Sequence, residues 1–252
     1  MRTIVILPTY NEAENVEPMV RQLLALPIQD LNVLIIDDNS QDGTGKIADA
    51  LRDKNPNRVW VMHRPGKMGL GTAYITGFDW AIEHGADAII QMDADFSHSP
   101  SYLPGFVSKI GEFDVVVGSR YVPGGKLDPR WSGWRFFLSK WANTIWVRLI
   151  LGTQVRDATA GFKCWSRRAL ETIGLDHVKS NGYIFQVEMA YLSEKRGLTI
   201  LEWPIYFPDR RVGESKMTVP VKLEAAWRVF QIRLRFGGLK KISRVECQSV
   251  PA

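Results

Sequence analysis

The 252 residues contain only two cysteines, Cys164 and Cys247, far apart and in no metal-ligand spacing. Neither a disulfide framework nor a zinc site is indicated, and a buried thiol plus a tail thiol in a reducing cytosol is the expectation. Long apolar runs are lacking too. The most lipophilic stretch, Phe136 to Leu151, is broken by Lys140 and Arg148 and falls short of the roughly 20 residues that span a bilayer. The N-terminal run Thr3–Leu7 stops at Pro8, too short for a signal-peptide core, so export by that route is not expected. Acidic residues are missing altogether from Pro129 to Arg156, and Glu224 is alone between Lys216 and Arg244. The glycines Gly66, Gly69 and Gly71 do not form Gly-x-Gly-x-x-Gly, which argues against a dinucleotide-dependent oxidoreductase. Gly66-Lys67 is followed by Met68 and has no upstream glycine at the P-loop distance, so a P-loop NTPase fails as well.

What is present is a globular composition, 45% hydrophobic and 23% charged, with 32 Lys+Arg against 27 Asp+Glu and a net charge of +5. β-Branched runs at Thr3–Leu7, Asn32–Asp37, Arg58–Met62, Asp87–Met92 and Asp114–Gly118 predict strands. Helical patterns at Glu12–Leu26, Thr44–Arg52, Gly71–His84 and Tyr102–Lys109 fall between them. That alternation predicts an α/β fold with a mostly parallel central sheet flanked by helices, and a ligand crevice at the carboxyl ends of its strands. The second half is less regular, with a Gly/Pro-rich loop from Val122 to Arg130 and helix candidates ending at Leu151 and spanning Val219–Phe236. Residues 1–219 are expected to form the main domain, 220–241 a basic amphipathic helix and 242–252 a flexible tail.

Polar groups gather at the predicted strand ends. Asp93 and Asp95 leave one strand two residues apart and repel unless a cation sits with them. Oxygen ligands with room for phosphate suit Mg²⁺ or Mn²⁺, although a solvated turn or helix cap explains an Asp-x-Asp equally well. At the end of a neighbouring strand stand Asp37 and Asp38. Turn chemistry accounts for Asp42-Gly43, whereas Asp38 is the carboxylate expected to bond a nucleobase or ribose.

Taken together, Pro8-Thr9-Tyr10-Asn11-Glu12, Asp37-Asp38-Asn39-Ser40, Met92-Asp93-Ala94-Asp95, Gly118-Ser119-Arg120-Tyr121 and Gly213-Glu214-Ser215-Lys216 resemble the inverting family 2 glycosyltransferases, in particular the dolichol- or polyprenol-phosphate mannose synthases. The resemblance runs from about residue 2 to 219 with the motifs in order. It implies a GT-A (Rossmann-like) fold, GDP-mannose as donor and a polyprenyl phosphate as acceptor. By position, Pro8, Tyr10, Glu12 and Asp38 would hold the guanosine, and Asp93, Ala94 and Asp95 would face the diphosphate, the two aspartates with the metal. Ser97 stands where some members have a glutamine ligand and others a serine, so either it or a water completes the set. Arg210 and Lys216 match the late basic residues that close over the diphosphate. Arg120 and Arg135 match those that meet the acceptor phosphate, which two guanidiniums suit through their forked donors.

Trp131, Trp134, Trp141 and Trp146 interleave with Arg130, Arg135, Lys140 and Arg148, the pattern of an interfacial membrane segment. Leu223, Trp227, Phe230 and Leu234 share a face of the later basic helix. Both stretches point to the cytoplasmic face of a membrane, or to a membrane-anchored partner subunit or domain, and no nucleic-acid motif supports that alternative. Because a lipid phosphate is already anionic, the implied reaction needs no catalytic base, and none of the four histidines is required. Two rivals stay open: a UDP-sugar donor on the same scaffold, and a non-catalytic subunit that binds lipid or a partner.

Overall fold

Strand β1 (Thr3–Thr9) carries no charged side chain, and neither do its neighbours β2 (Leu31–Asp37) and β4 (Ala88–Gln91) until the terminal Asp37. Strands of this kind are buried on both faces. In the computed structural model, which describes residues 1–128, 146–182, 184–208, 219–239 and 247–249, they form the centre of an eight-stranded sheet. Its order is β3 (Val59–His63), β2, β1, β4, β7 (Lys163–Ser166), β5 (Val115–Ser119), β8 (Ile200–Pro204) and β10 (Cys247–Ser249). All neighbours run parallel except β7, which is antiparallel to both β4 and β5. The pairing of β10 with β8 falls inside the stretch expected as a tail. A separate two-stranded piece joins β6 (Lys126–Leu127) to β9 (Tyr206–Phe207).

The alternating side chains of each strand feed two cores. Ile4, Ile6, Leu34, Ile36 and Ile89 pack on one face under α3 (Leu70–Glu83), α6 (Arg167–Ile173) and α7 (Ile184–Lys195). Val5, Leu7, Val33, Ile35 and Ile90 pack on the other under α1 (Ala13–Leu24), α2 (Thr44–Lys54) and α4 (Leu103–Lys109). Helix α3 approaches the sheet closely at Gly77, where a Cβ would come within 2.5 Å of the Ile6 side chain and 2.9 Å of Ile36. Helices α5 (Arg148–Leu151) and α8 (Val219–Phe236) pack together, and α8 also lies against α7. Along α8, Val229, Ile232 and Phe236 face inward while Trp227, Phe230 and Leu234, from the face singled out in the sequence, are exposed. No helix among the described residues is long and apolar enough to cross a membrane.

The strand order runs one way from β1 to β3 and the other way from β4, so the connections after β1 and β4 diverge along the sheet. That divergence opens a crevice at their carboxyl ends. It is the rim to which the sequence delivers Pro8–Glu12 and Asp93–Asp95.

Candidate active site

Both central loops are held by side chains rather than by regular structure. Asn11 and Asn39 adopt left-handed backbone, each with φ 58°. The Asn11 N–H donates to Ser40 Oγ at 2.9 Å, the Glu12 N–H to Thr44 Oγ1 at 2.8 Å and the Ala13 N–H to Asp42 Oδ2 at 3.0 Å. Asp37 accepts from the Ser40 N–H and hydroxyl, so this aspartate fixes the turn. Pro8 lies within β1, opposite Ile36, and Tyr10 has the Lys67 ammonium 4.5 Å from its ring centroid. Glu12 takes the Asn15 amide at 2.8 Å.

Asp38, expected to face a nucleoside, is gripped by Arg64 from the end of β3. The guanidinium Nε and Nη2 donate to the two carboxylate oxygens at 2.5 and 2.7 Å, and Nη1 reaches Thr72 Oγ1 at 2.8 Å. Both partners are buried, a setting in which an ion pair holds only with good geometry and further hydrogen bonds. Asp38 is therefore a positioned carboxylate rather than a free one. Sequence reasoning missed Arg64, although its place at a fourth strand end was a usable signal.

Beyond β4, Asp93 accepts from the Tyr74 hydroxyl at 3.1 Å, and its own N–H donates to His98 Nδ1 at 2.9 Å. Burial first, and the Asp93 charge second, hold the Tyr74 phenol well above its ordinary value, so it remains a donor. The His98 ring stacks on Phe162 with centroids 4.9 Å apart. Phe96, with φ 62°, turns the chain through a backbone region that bulky residues rarely adopt. The turn brings the Ser97 N–H and hydroxyl to Asp95 Oδ1, at 3.0 and 2.5 Å. Ser97 thus spends its hydroxyl proton on Asp95, and Ala94 is buried between the two aspartates.

No group of three His, Cys, Asp or Glu residues is arranged around a cation among the described residues. Asp93, partly open to solvent, and the largely buried Asp95 offer hard oxygens two residues apart in the chain. That donor set fits Mg²⁺ or Mn²⁺, which take one or two protein carboxylates and complete their shells from substrate.

Arg120, matched by position to the acceptor phosphate, is paired with the fully buried Asp157. Nε and Nη2 donate to it at 2.8 and 2.7 Å, and Nη2 also reaches Thr159 Oγ1 at 2.9 Å. Burial pulls the guanidinium pKa down, but the Asp157 charge outweighs it and the net shift is upward. Asp157 is itself held: its N–H and that of Arg156 donate to Glu202 at 3.0 and 2.9 Å. Burial raises the Glu202 pKa. Arg135, Arg210 and Lys216 lie outside the described residues.

Behind this network sits Lys163, fully buried on β7 opposite Gln91. Its ammonium donates to Ala160 O at 2.6 Å and to Gln186 Oε1 at 2.8 Å. Gln91 donates to the same Gln186 oxygen at 2.7 Å and accepts from Trp165. Gln186 and Glu188 both point into the protein, Glu188 capping the Ser180 N–H at 2.7 Å. Burial drives Lys163 down from 10.5 to about 7, with Asp157 opposing and Arg120 adding to the shift. A neutral amine still has two N–H groups for its two acceptors. Between about pH 7 and 10.5 the folded chain has released a proton that the unfolded chain keeps, so this group's contribution to stability rises with pH across that window. Lys163→Met should flatten the rise, as measured by the denaturation midpoint at stepped pH.

With the rim and its partners defined, comparison with known proteins fixes the family. The pattern described as Glycosyl transferase family 2 matches residues 4–174.

The chain is a family 2 glycosyltransferase.

This glycosyltransferase is related to polyprenol- and undecaprenyl-phosphate mannose synthases. It is 42% identical over 235 residues to a polyprenol monophosphomannose synthase from Mycolicibacterium smegmatis, covering 93% of this chain and 88% of that one. It is 41% identical over 242 residues to an undecaprenyl-phosphate mannosyltransferase from Micrococcus luteus, covering 95% and 98%. The fold is GT-A, as in the glucosyl-3-phosphoglycerate synthase of Mycobacterium tuberculosis solved with Mn²⁺, UDP-glucose and phosphoglyceric acid. That match has a TM-score of 0.61 at 17% identity and covers 94% of this glycosyltransferase and 80% of the other chain.

Proposed function

We propose that this glycosyltransferase moves mannose from GDP-mannose to a polyprenyl phosphate with inversion, giving polyprenyl-phosphate mannose. The observation that carries the reading is the likeness, over nearly the whole chain, to two relatives named for that chemistry. The site is consistent with it. Tyr10, Glu12 and the Asp38–Arg64 pair border the place for a nucleoside, Asp93 and Asp95 would hold Mg²⁺ or Mn²⁺, and Arg120 stands across the rim. When bound, the cation would neutralise charge on the departing diphosphate.

The chain's own groups do the rest by placement. Asp157 fixes the Arg120 guanidinium so that its Nη1, which has no partner among the described residues, is left for an acceptor phosphate oxygen. The acceptor is anionic at neutral pH and attacks the anomeric carbon directly, so no side chain need take a proton. The resemblance assigns Arg135 to the same phosphate and Arg210 and Lys216 to the leaving diphosphate, where charge grows in the transition state. The exposed Trp227, Phe230 and Leu234 on α8, with Leu149 beside them on α5, suit peripheral binding to a cytoplasmic membrane face or to a membrane-anchored partner.

The test is ligand choice by the intact protein with Mn²⁺ or Mg²⁺ present. GDP-mannose at about 100 times its Kd should raise Tm by roughly 5 °C or more, and polyprenyl phosphate should then receive the sugar. A larger shift from UDP-glucose would reassign the donor. No shift from any sugar nucleotide would favour a non-catalytic subunit.

A further inference from the structure

Two side chains decide how Asp93 is held. From α3, Tyr74 comes up beneath the rim, fully buried, its ring stacked on Phe78 and Phe185 with centroids 5.9 and 6.1 Å apart. Rings packed this closely have little freedom, so the hydroxyl is delivered to one place. Packing alone would be served by a third phenylalanine, and burying a hydroxyl costs free energy unless it is hydrogen-bonded. The Tyr74 hydroxyl has one such partner among the described residues, Asp93 Oδ1 at 3.1 Å, 19 positions along the chain. His98 holds the backbone of the same residue. Its Nδ1 accepts the Asp93 N–H at 2.9 Å, and a nitrogen that accepts has no proton to offer the carboxylate 4.0 Å away.

The Asp93 side chain is 34% exposed, and its Oδ2 accepts no hydrogen bond among the described residues. Untethered, such a carboxylate would turn over a broad range of angles. We propose that Tyr74 is a positioning residue for the divalent cation: by tying Oδ1 it holds the Asp93 carboxylate in one orientation, with Oδ2 left to ligate Mg²⁺ or Mn²⁺. Asp95 is pinned in the same manner, its Oδ1 accepting from the Ser97 N–H and hydroxyl, so each aspartate of the pair has one oxygen fixed by the protein. Groups that hold a metal's ligands set their orientation, and losing one costs about 10–100-fold in metal affinity. This role rests on Asp93 being a metal ligand in the proposed transfer, because Tyr74 is too deeply buried to touch a substrate itself.

The experiment follows Tm of the intact protein in the presence of GDP while Mn²⁺ is raised stepwise, and reads the half-saturating Mn²⁺ concentration. Tyr74→Phe should move that concentration up by about tenfold or more, with the same total shift reached at saturating metal. In an Asp93→Ala background the same substitution should move it no further, since a residue that acts through another loses its effect once that one is gone. A Tyr74→Phe protein whose Tm is lower at every Mn²⁺ concentration but whose midpoint is unmoved overturns the proposal, because the hydroxyl then serves stability alone, and it leaves the metal assignment standing. An equal displacement in the parent and in Asp93→Ala overturns it too, as does a Tyr74→Phe chain with no cooperative unfolding transition, for the hydroxyl would then hold the fold rather than one carboxylate. If Mn²⁺ produces no shift in the parent protein with GDP present, the positioning role and the metal assignment fall together.

Discussion

Asp95→Asn should lower sugar transfer by about 10³-fold while leaving the fold intact. The asparagine keeps an oxygen where Asp95 Oδ1 accepts from the Ser97 N–H and hydroxyl, so the turn around Phe96 retains both hydrogen bonds. The negative charge disappears, and the second carboxylate oxygen becomes an amide NH₂ that cannot ligate a cation. A cation held by Asp93 alone binds more weakly and stabilises the leaving diphosphate less; a loss of about 4 kcal/mol in the transition state is about a thousandfold in rate. Transfer measured across a range of Mn²⁺ and Mg²⁺ concentrations, beside a Tm within about 1 °C of the parent, would establish that pattern. Activity above a tenth of the parent's at every metal concentration would remove Asp95 from the diphosphate site.

The second large effect concerns stability. Asp157→Asn should lower Tm by about 10 °C, because it strands the buried Arg120 charge that Asp157 now neutralises through two hydrogen bonds. Removing one partner of a buried pair costs about 3–5 kcal/mol, and at this chain length each kcal/mol moves Tm by about 2–4 °C. Replacing both partners by apolar residues, Arg120→Met with Asp157→Leu, should recover much of that loss. If Arg120 also meets the acceptor phosphate, the double variant regains Tm but not transfer. Recovery of both would make the pair purely structural, and a Tm unchanged by Asp157→Asn would show that Arg120 is solvated rather than buried.

Much of the rim around Asp38, Asp93 and Asp95 was legible because its signals are local. Apolar runs ending in Pro8, Asp37 and Gln91 mark where strands stop, and the polar residues that follow must emerge at one rim if the strands are parallel. The acidic pair Asp93 and Asp95 could be placed from its distance to a strand end alone. The surroundings of Arg120 were less legible, since their partners are far apart in sequence: Arg120 meets Asp157 at a separation of 37 residues, and Lys163 meets Gln186 at 23. Strand β7 escaped notice because Lys163-Cys164-Trp165-Ser166 is short and begins with a charge, and its antiparallel insertion leaves no local trace. Helix α7 is buried at every position from Ile184 to Glu194, so it lacks the polar stripe by which an amphipathic helix is recognised.

By itself, the sequence determined the alternation of strands and helices, the family resemblance and the rim on which the aspartates fall, because side-chain periodicity and turn chemistry act over a few residues. Only the tertiary structure decided that Asp38 is bound by Arg64 and Arg120 by Asp157, and that Lys163 is sealed among amides. In each case a buried charge or hydroxyl must find its complement in space, and no spacing along the chain says which one it finds.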